Sequence, residues 1–258
     1  EDLFHQQALL GAAEDALATL LNRTRGVPVA LLVGLPVAVD GQLYNCAALA
    51  CRGRLVGVVP KTYLPNYREF YEGRQFTPGD ASLRTEIALA GQRAPFGAAQ
   101  LFRPSGLPGF VLHVEICEDL WVPAPPSSFA CLAGATVIGN LSASNVVTGK
   151  AGYRRQLVGN QSARCIAAYL YSASGPGEST TDLAWDGHAL IAENGNIVAE
   201  SQRFADRPQL ALADVDLGRL LADRMRQNTF ADSMRRHAAE AAKFRVVGFD
   251  LEAPRGRI

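Results

Sequence analysis

Two side chains in this sequence have the types and settings for nucleophilic chemistry. Cys117 ends an apolar run in FVLHVEICEDLW (110–121) and stands between Glu115 and the pair Glu118–Asp119. A thiol attacks as its thiolate, and neighbouring carboxylates disfavour that form. Either this cysteine is inert and buried at a strand end, or a basic group from elsewhere in the chain offsets the acids. Lys61 ends a second apolar run, LVGVVPK, and opens a long loop. An isolated lysine there is most simply a solvated strand terminus. Brought to the same sheet edge as Cys117, its ammonium would support a thiolate and then the negative charge of a tetrahedral intermediate. A carboxylate would still be needed to take the thiol proton.

Such a pair needs a scaffold that gathers strand ends. EDLFHQQALLGAAEDALATLL has helical rhythm, and VPVALLVGLPVAV reads as a buried strand. LYNCAALACRG and RLVGVVPK read as two more strands joined at Gly53. TYLPNYREFYEGRQFTPGD is a polar and aromatic loop of a length that is uncommon unless functional. Beyond it, GFVLHVEIC, TVIGNLSAS and YLYSASG read as strands, while PSSFACLAGA and YRRQLVGNQSARCIAAYL read as helices. HALIAENGNIVAESQR is a hairpin around Asn194–Gly195, QLALADVDL is expected to close the set of strands, and GRLLADRMRQNTF to start a terminal helix. Strands alternate with helices and then turn antiparallel, the pattern of a layered α/β sandwich. LLVGLPVAV carries neither G-x-G-x-x-G nor a P-loop, which sets dinucleotide binding aside.

Composition narrows the function classes. The 258 residues are 48% hydrophobic and 19% charged, and the 25 basic and 25 acidic residues give zero formal net charge. That balance disfavours nucleic acid or an anionic membrane as partner. No apolar run approaches the roughly 18 residues of a membrane span, and no signal peptide opens the chain, so a cytoplasmic location is expected. Cys46, Cys51, Cys117, Cys131 and Cys165 form no C-x-x-C, which suggests neither a zinc cluster nor a disulfide framework. All but Cys117 lie in apolar patterns and read as core. No metal site is expected. The four histidines lack a Cys or Asp partner at triad-like spacing, which gives a Cys–His protease little support.

PKTYLP, FYEGRQFTPGD and VEICEDLW, in this order, resemble the carbon–nitrogen hydrolase (nitrilase) superfamily. KTYLPNYREFYEGRQF and GNLSASNVVTGKAGYRRQLV resemble, within it, the glutaminase domains of glutamine-dependent NAD+ synthetases, and the similarity covers nearly the whole chain. The resemblance implies a four-layer αββα sandwich and a Glu–Lys–Cys triad. Cys117 would be the nucleophile, Lys61 the triad lysine, and Glu72 an auxiliary glutamate where a surface loop charge is the alternative. Tyr67, Ser144 and Lys150 match positions that hold L-glutamine; some relatives have Arg where Lys150 stands. The triad glutamate would precede Glu1 and so lie outside these residues. Residues 1–245 would form the glutamine-hydrolysing domain and 246–258 the start of a linker to an ATP-dependent synthetase domain. That domain would bind ATP, Mg and deamido-NAD, and would receive ammonia internally. No cofactor is expected in the hydrolysing domain, and a homo-oligomer is.

Two other readings stay open on the residues alone: a stand-alone amidase or carbamoylase with the same cysteine and lysine, and a non-catalytic nitrilase-fold module used for assembly. The sequence beyond Ile258 and the hydrolysis of glutamine separate them.

Overall fold

Helix α1 (Gln7–Arg23) turns Leu17 and Leu21 inward onto an antiparallel sheet of β1 (Ala30–Val39), β2 (Gln42–Cys51) and β3 (Arg54–Pro60). The computed structural model describes residues 3–178 and 183–253. Strand β2 is apolar from Cys46 to Cys51, and its setting shows why. Cys46, Ala48 and Ala50 face the α1 side, whereas Ala47, Leu49 and Cys51 face the opposite core. Both faces of the strand are buried, so the period-two alternation joins two apolar sets.

After the long loop comes a short hairpin, β4 (Glu86–Leu89) and β5 (Gln92–Pro95). It turns at Ala90–Gly91, with φ of 51° and 71°. A two-residue turn of this kind requires positive φ at both positions, which Asn or Gly adopts at less cost than alanine. The turn at Asn194–Gly195, by contrast, carries the residue types that such a turn favours.

The second sheet holds β6 (Gln100–Gly106), β7 (Leu112–Ile116), β8 (Val137–Ser142), β9 (Ala168–Ala173), β10 (Ala189–Glu193), β11 (Asn196–Glu200) and β12 (Arg245–Glu252). Its order is β11-β10-β9-β8-β7-β6-β12. Strands β7, β8 and β9 are parallel, joined through α2 (Pro126–Leu132) and α3 (Lys150–Cys165). Leu49, Val59, Phe102, Val114, Ile116 and Val137 fill the core between the sheets. On the outer face of the larger sheet, Ala130 of α2 and Val158 of α3 pack with Ile138, Tyr169 and Leu190. Helix, sheet, sheet, helix is the four-layer αββα arrangement expected. Helices α4 (Leu217–Arg226), α5 (Asn228–Arg236) and α6 (Ala238–Ala241) complete the described chain, and none of its helices is long and apolar enough to cross a membrane.

Two readings need correction. Residues 246–252 are not linker: β12 pairs in parallel with β6, and Val247, Phe249 and Leu251 pack against the inter-sheet core at alternate positions. Of the remaining expected linker residues, Ala253 is exposed and 254–258 lie outside the described residues. QLALADVDL, in turn, is not a strand. Leu210 and Leu212 are 80% and 74% exposed, and Asp216 caps α4 by accepting Arg219 N–H at 2.9 Å. Alternation alone makes no strand without a neighbour for its backbone groups, and among the described residues this segment pairs with no strand.

Candidate functional site

Strand ends β3 and β7 deliver the two chemical groups to one cavity of about 810 Å³, lined among others by Lys61, Tyr67, Glu72, Cys117, Ser144 and Lys150. All six residues singled out from the sequence therefore meet in one place. Cys117 is the first residue of a 3-10 turn, Cys117–Leu120, and has φ of 48°. Positive φ is costly for a residue with a Cβ and persists only where surroundings impose it. Here the Cys117 N–H donates to Asn140 Oδ1 at 3.1 Å and the Ile116 N–H to Asp119 Oδ2 at 2.9 Å. Asn140 is itself oriented, because its amide donates to Tyr169 Oη at 3.0 Å and that hydroxyl donates to Glu115 at 2.5 Å.

The acids around the cysteine each face elsewhere. Glu115 is fully buried and also accepts Ser127 N–H at 3.0 Å; burial pushes its carboxyl up despite the Tyr169 and Ser127 hydrogen bonds. Glu118 accepts the Tyr67 hydroxyl at 2.8 Å, and burial together with that carboxylate pushes Tyr67 up to about 12. Asp119 accepts the backbone N–H groups of Tyr63 and Ile116.

Lys61 is 2% exposed. Its ammonium is hydrogen-bonded to Glu72 Oε2, and Glu72 Oε1 accepts the Asn45 amide at 2.6 Å. Burial disfavours the ammonium, but Cys117, Glu72 and Asp119 outweigh it and hold Lys61 above the usual lysine value. The cation is thus kept charged next to the thiol. Glu72 is no surface loop charge; it anchors Lys61.

Lys150, which also lines the cavity, opens α3. A cation at a helix N-terminus has the wrong sign for the helix dipole, so its placement needs another reason. Its ammonium contacts Asn145 Oδ1 and lies 5.4 and 5.3 Å from the ring centroids of Phe70 and Trp121. Burial lowers its affinity for the proton, with Cys117 acting in the opposite sense. Asn145 in turn donates to Glu69 at 2.8 Å, which ties the long loop to the segment before α3. Trp121 stands edge-on to Tyr153 at 5.4 Å, directly after the turn that carries Cys117.

Ser144 is buried and held from behind by Arg154, whose Nη2 donates to its carbonyl at 3.3 Å. Arg154 is 1% exposed and pairs with both oxygens of Asp186 at 3.1 Å. Arg154→Met is expected to lower unfolding stability by about 3 kcal/mol, the lower end for a broken buried pair, because Arg203 still reaches Asp186 at 2.8 Å. The shift of the urea midpoint checks this. His188 is buried, with its ring nitrogens against Arg154 and Glu200 and not against a thiol.

Sequence reasoning missed Asn140, Asp119, Tyr169 and Arg154. Asn140 and Arg154 could have been flagged as polar residues within apolar strand or helix patterns; their partners are distant in sequence and left no local sign. Among the described residues no three His, Cys, Asp or Glu side chains are grouped to hold a metal ion.

The carbon–nitrogen hydrolase family profile matches residues 1–225. The chain is 50% identical over 258 residues to a glutamine-dependent NAD(+) synthetase of Mycobacterium tuberculosis, covering 100% of this chain and 38% of that protein. It is 35% identical over 195 residues to that of Saccharomyces cerevisiae, covering 72% of this chain and 27% of that protein. A crystal structure of a glutamine-dependent NAD(+) synthetase from Cytophaga hutchinsonii superposes with a TM-score of 0.67 at 28% identity, over 80% of this chain and 33% of that one. A carbon–nitrogen hydrolase from Helicobacter pylori G27, at 17% identity, shares the fold with a TM-score of 0.67 over 92% of this chain and 80% of its own. The chain thus spans 38% of the length of the mycobacterial relative.

Proposed function

This chain belongs to the carbon–nitrogen hydrolase family, and from that premise we propose that it is a glutaminase: it hydrolyses the side-chain amide of L-glutamine and releases ammonia. The observation that carries the reading is the charged Lys61–Glu72 pair lining one cavity with Cys117. In this mechanism the Cys117 sulfur attacks the amide carbon while Lys61 stabilises the oxyanion. Both Glu72 oxygens are engaged, by Lys61 and Asn45, so Glu72 holds the lysine. The thiol proton passes to the upstream glutamate that the family resemblance implies, and from it to the departing nitrogen. Ammonia leaves, and water hydrolyses the γ-glutamyl thioester to glutamate and free thiol.

Tyr67, Ser144 and Lys150 would bind the amino-acid end of glutamine. The half-desolvated Lys150 ammonium suits the α-carboxylate, and its aromatic walls keep it in place. The relatives' names support a further step. Ammonia made here would serve a linked synthetase domain, which amidates deamido-NAD to NAD+ with ATP and Mg, in a homo-oligomeric cytoplasmic enzyme with an internal ammonia path.

The test is glutamine hydrolysis by the full-length polypeptide. Lys150→Met, Ser144→Ala and Tyr67→Phe are each expected to raise KM for glutamine by roughly tenfold, the cost of one or two lost polar contacts, with a smaller change in kcat. An enzyme that releases no ammonia from glutamine, but does so from another amide, would replace this reading with the stand-alone amidase.

A further inference from the structure

Lys61 and Cys117 sit on different sheets, so something must set their spacing. We propose that Asp119 is a positioning residue that holds the two corners carrying Lys61 and Cys117 in one frame, an inference that rests on the glutaminase reading for its catalytic consequence. Its carboxylate spans the corners. Oδ2 accepts the N–H of Ile116, the residue before the nucleophile, at 2.9 Å, and Oδ1 accepts the N–H of Tyr63, two residues after the lysine, at 2.8 Å. The side chain is 2% exposed, so the contacts are shielded from water. A second link, Tyr67 to Glu118, runs at the surface, where Tyr67 is 50% exposed.

A buried carboxylate is a costly way to satisfy two N–H groups. Burial and neighbouring Glu115 push Asp119 up, the Ile116 and Tyr63 N–H groups and Lys61 oppose them, and it settles at about 7. In its carboxylate form it also helps to keep the Lys61 ammonium charged. Geometry explains why shape alone is insufficient. Asparagine offers one acceptor oxygen and would turn its NH2 toward the second N–H. Glutamate keeps the charge but is longer by one methylene, so it cannot reach both donors from the same backbone position.

The test measures alkylation of Cys117 by iodoacetamide at neutral pH, read by mass spectrometry on the full-length polypeptide, alongside glutamine kinetics. Asp119→Asn and Asp119→Glu are both expected to slow alkylation of Cys117 and to lower kcat by roughly 10- to 100-fold, the effect of an ångström-scale misplacement. KM for glutamine should stay unchanged, because no contact of Asp119 involves Tyr67, Ser144 or Lys150. Wild-type rates in both variants would overturn the proposal, as would a rise in KM with kcat unchanged. If Asp119→Asn does not fold, Asp119→Glu decides by the same readings. Alkylation requires no substrate. A wild-type protein whose Cys117 alkylates readily but which hydrolyses no glutamine therefore overturns the glutaminase reading while the Asp119 comparison still stands.

Discussion

Cys117→Ala is expected to lower glutamine hydrolysis by at least about 10⁴-fold, the scale of losing a covalent nucleophile. No second thiol can take over. Cys46 also lines the cavity, but it is fully buried, and burial pushes its thiol well above the ordinary cysteine range. Cys51, Cys131 and Cys165 are buried in the cores. The Ala variant should fold normally, since the turn at residue 117 is held by the backbone N–H groups of Ile116 and Cys117 and not by the sulfur. Glutamine should therefore still bind. Unchanged hydrolysis in this variant would remove the mechanism altogether.

Lys61→Met is expected to lower kcat by about 10³-fold, the upper range for losing one oxyanion-stabilising group. It should also cost stability, by about 3 kcal/mol, because Glu72 would keep a largely buried charge with the Asn45 amide as its one remaining side-chain partner among the described residues. These two effects can be separated. The double variant Lys61→Met/Glu72→Gln removes both charges and should recover much of the stability, since a neutral pair has no unpaired ion to desolvate. Its activity should remain as low as that of Lys61→Met. Thermal unfolding and steady-state kinetics on the same preparations check both parts. Recovery of activity with stability would mean that Lys61 acts on folding and not on the reaction.

The layered fold was legible because its strongest signals are local. The apolar runs of β1 to β3, the Asn194–Gly195 turn and the rhythm of α3 each carry their own period. What escaped was set by distant partners. Strand β12 has a readable alternation at Val247, Phe249 and Leu251, but the Pro, Gly and Arg that follow it suggested a linker. Leu210 and Leu212 alternate just as clearly and form no strand, because pairing depends on a neighbour that the pattern cannot supply.

The site divides in the same way. Cys117 and Lys61 stood out as reactive types at strand ends, and the family resemblance singled out Glu72, Tyr67, Ser144 and Lys150. The residues that orient them did not. Asn140 reaches Cys117 across 23 positions, and Asp119 reaches Tyr63 across 56. The acids that first looked hostile to a thiolate turn out to be occupied. Glu115 faces the helix layer, Glu118 the long loop, and Asp119 two backbone N–H groups.

The central claim is that glutamine passes through a covalent adduct on Cys117. Acid-quenching the full-length polypeptide during turnover of glutamine, then mapping its peptides by mass spectrometry, tests this directly. The account predicts a γ-glutamyl group on the peptide containing Cys117, lost from Cys117→Ala. Steady glutamine hydrolysis with no adduct at Cys117, and with activity surviving in Cys117→Ala, would contradict it.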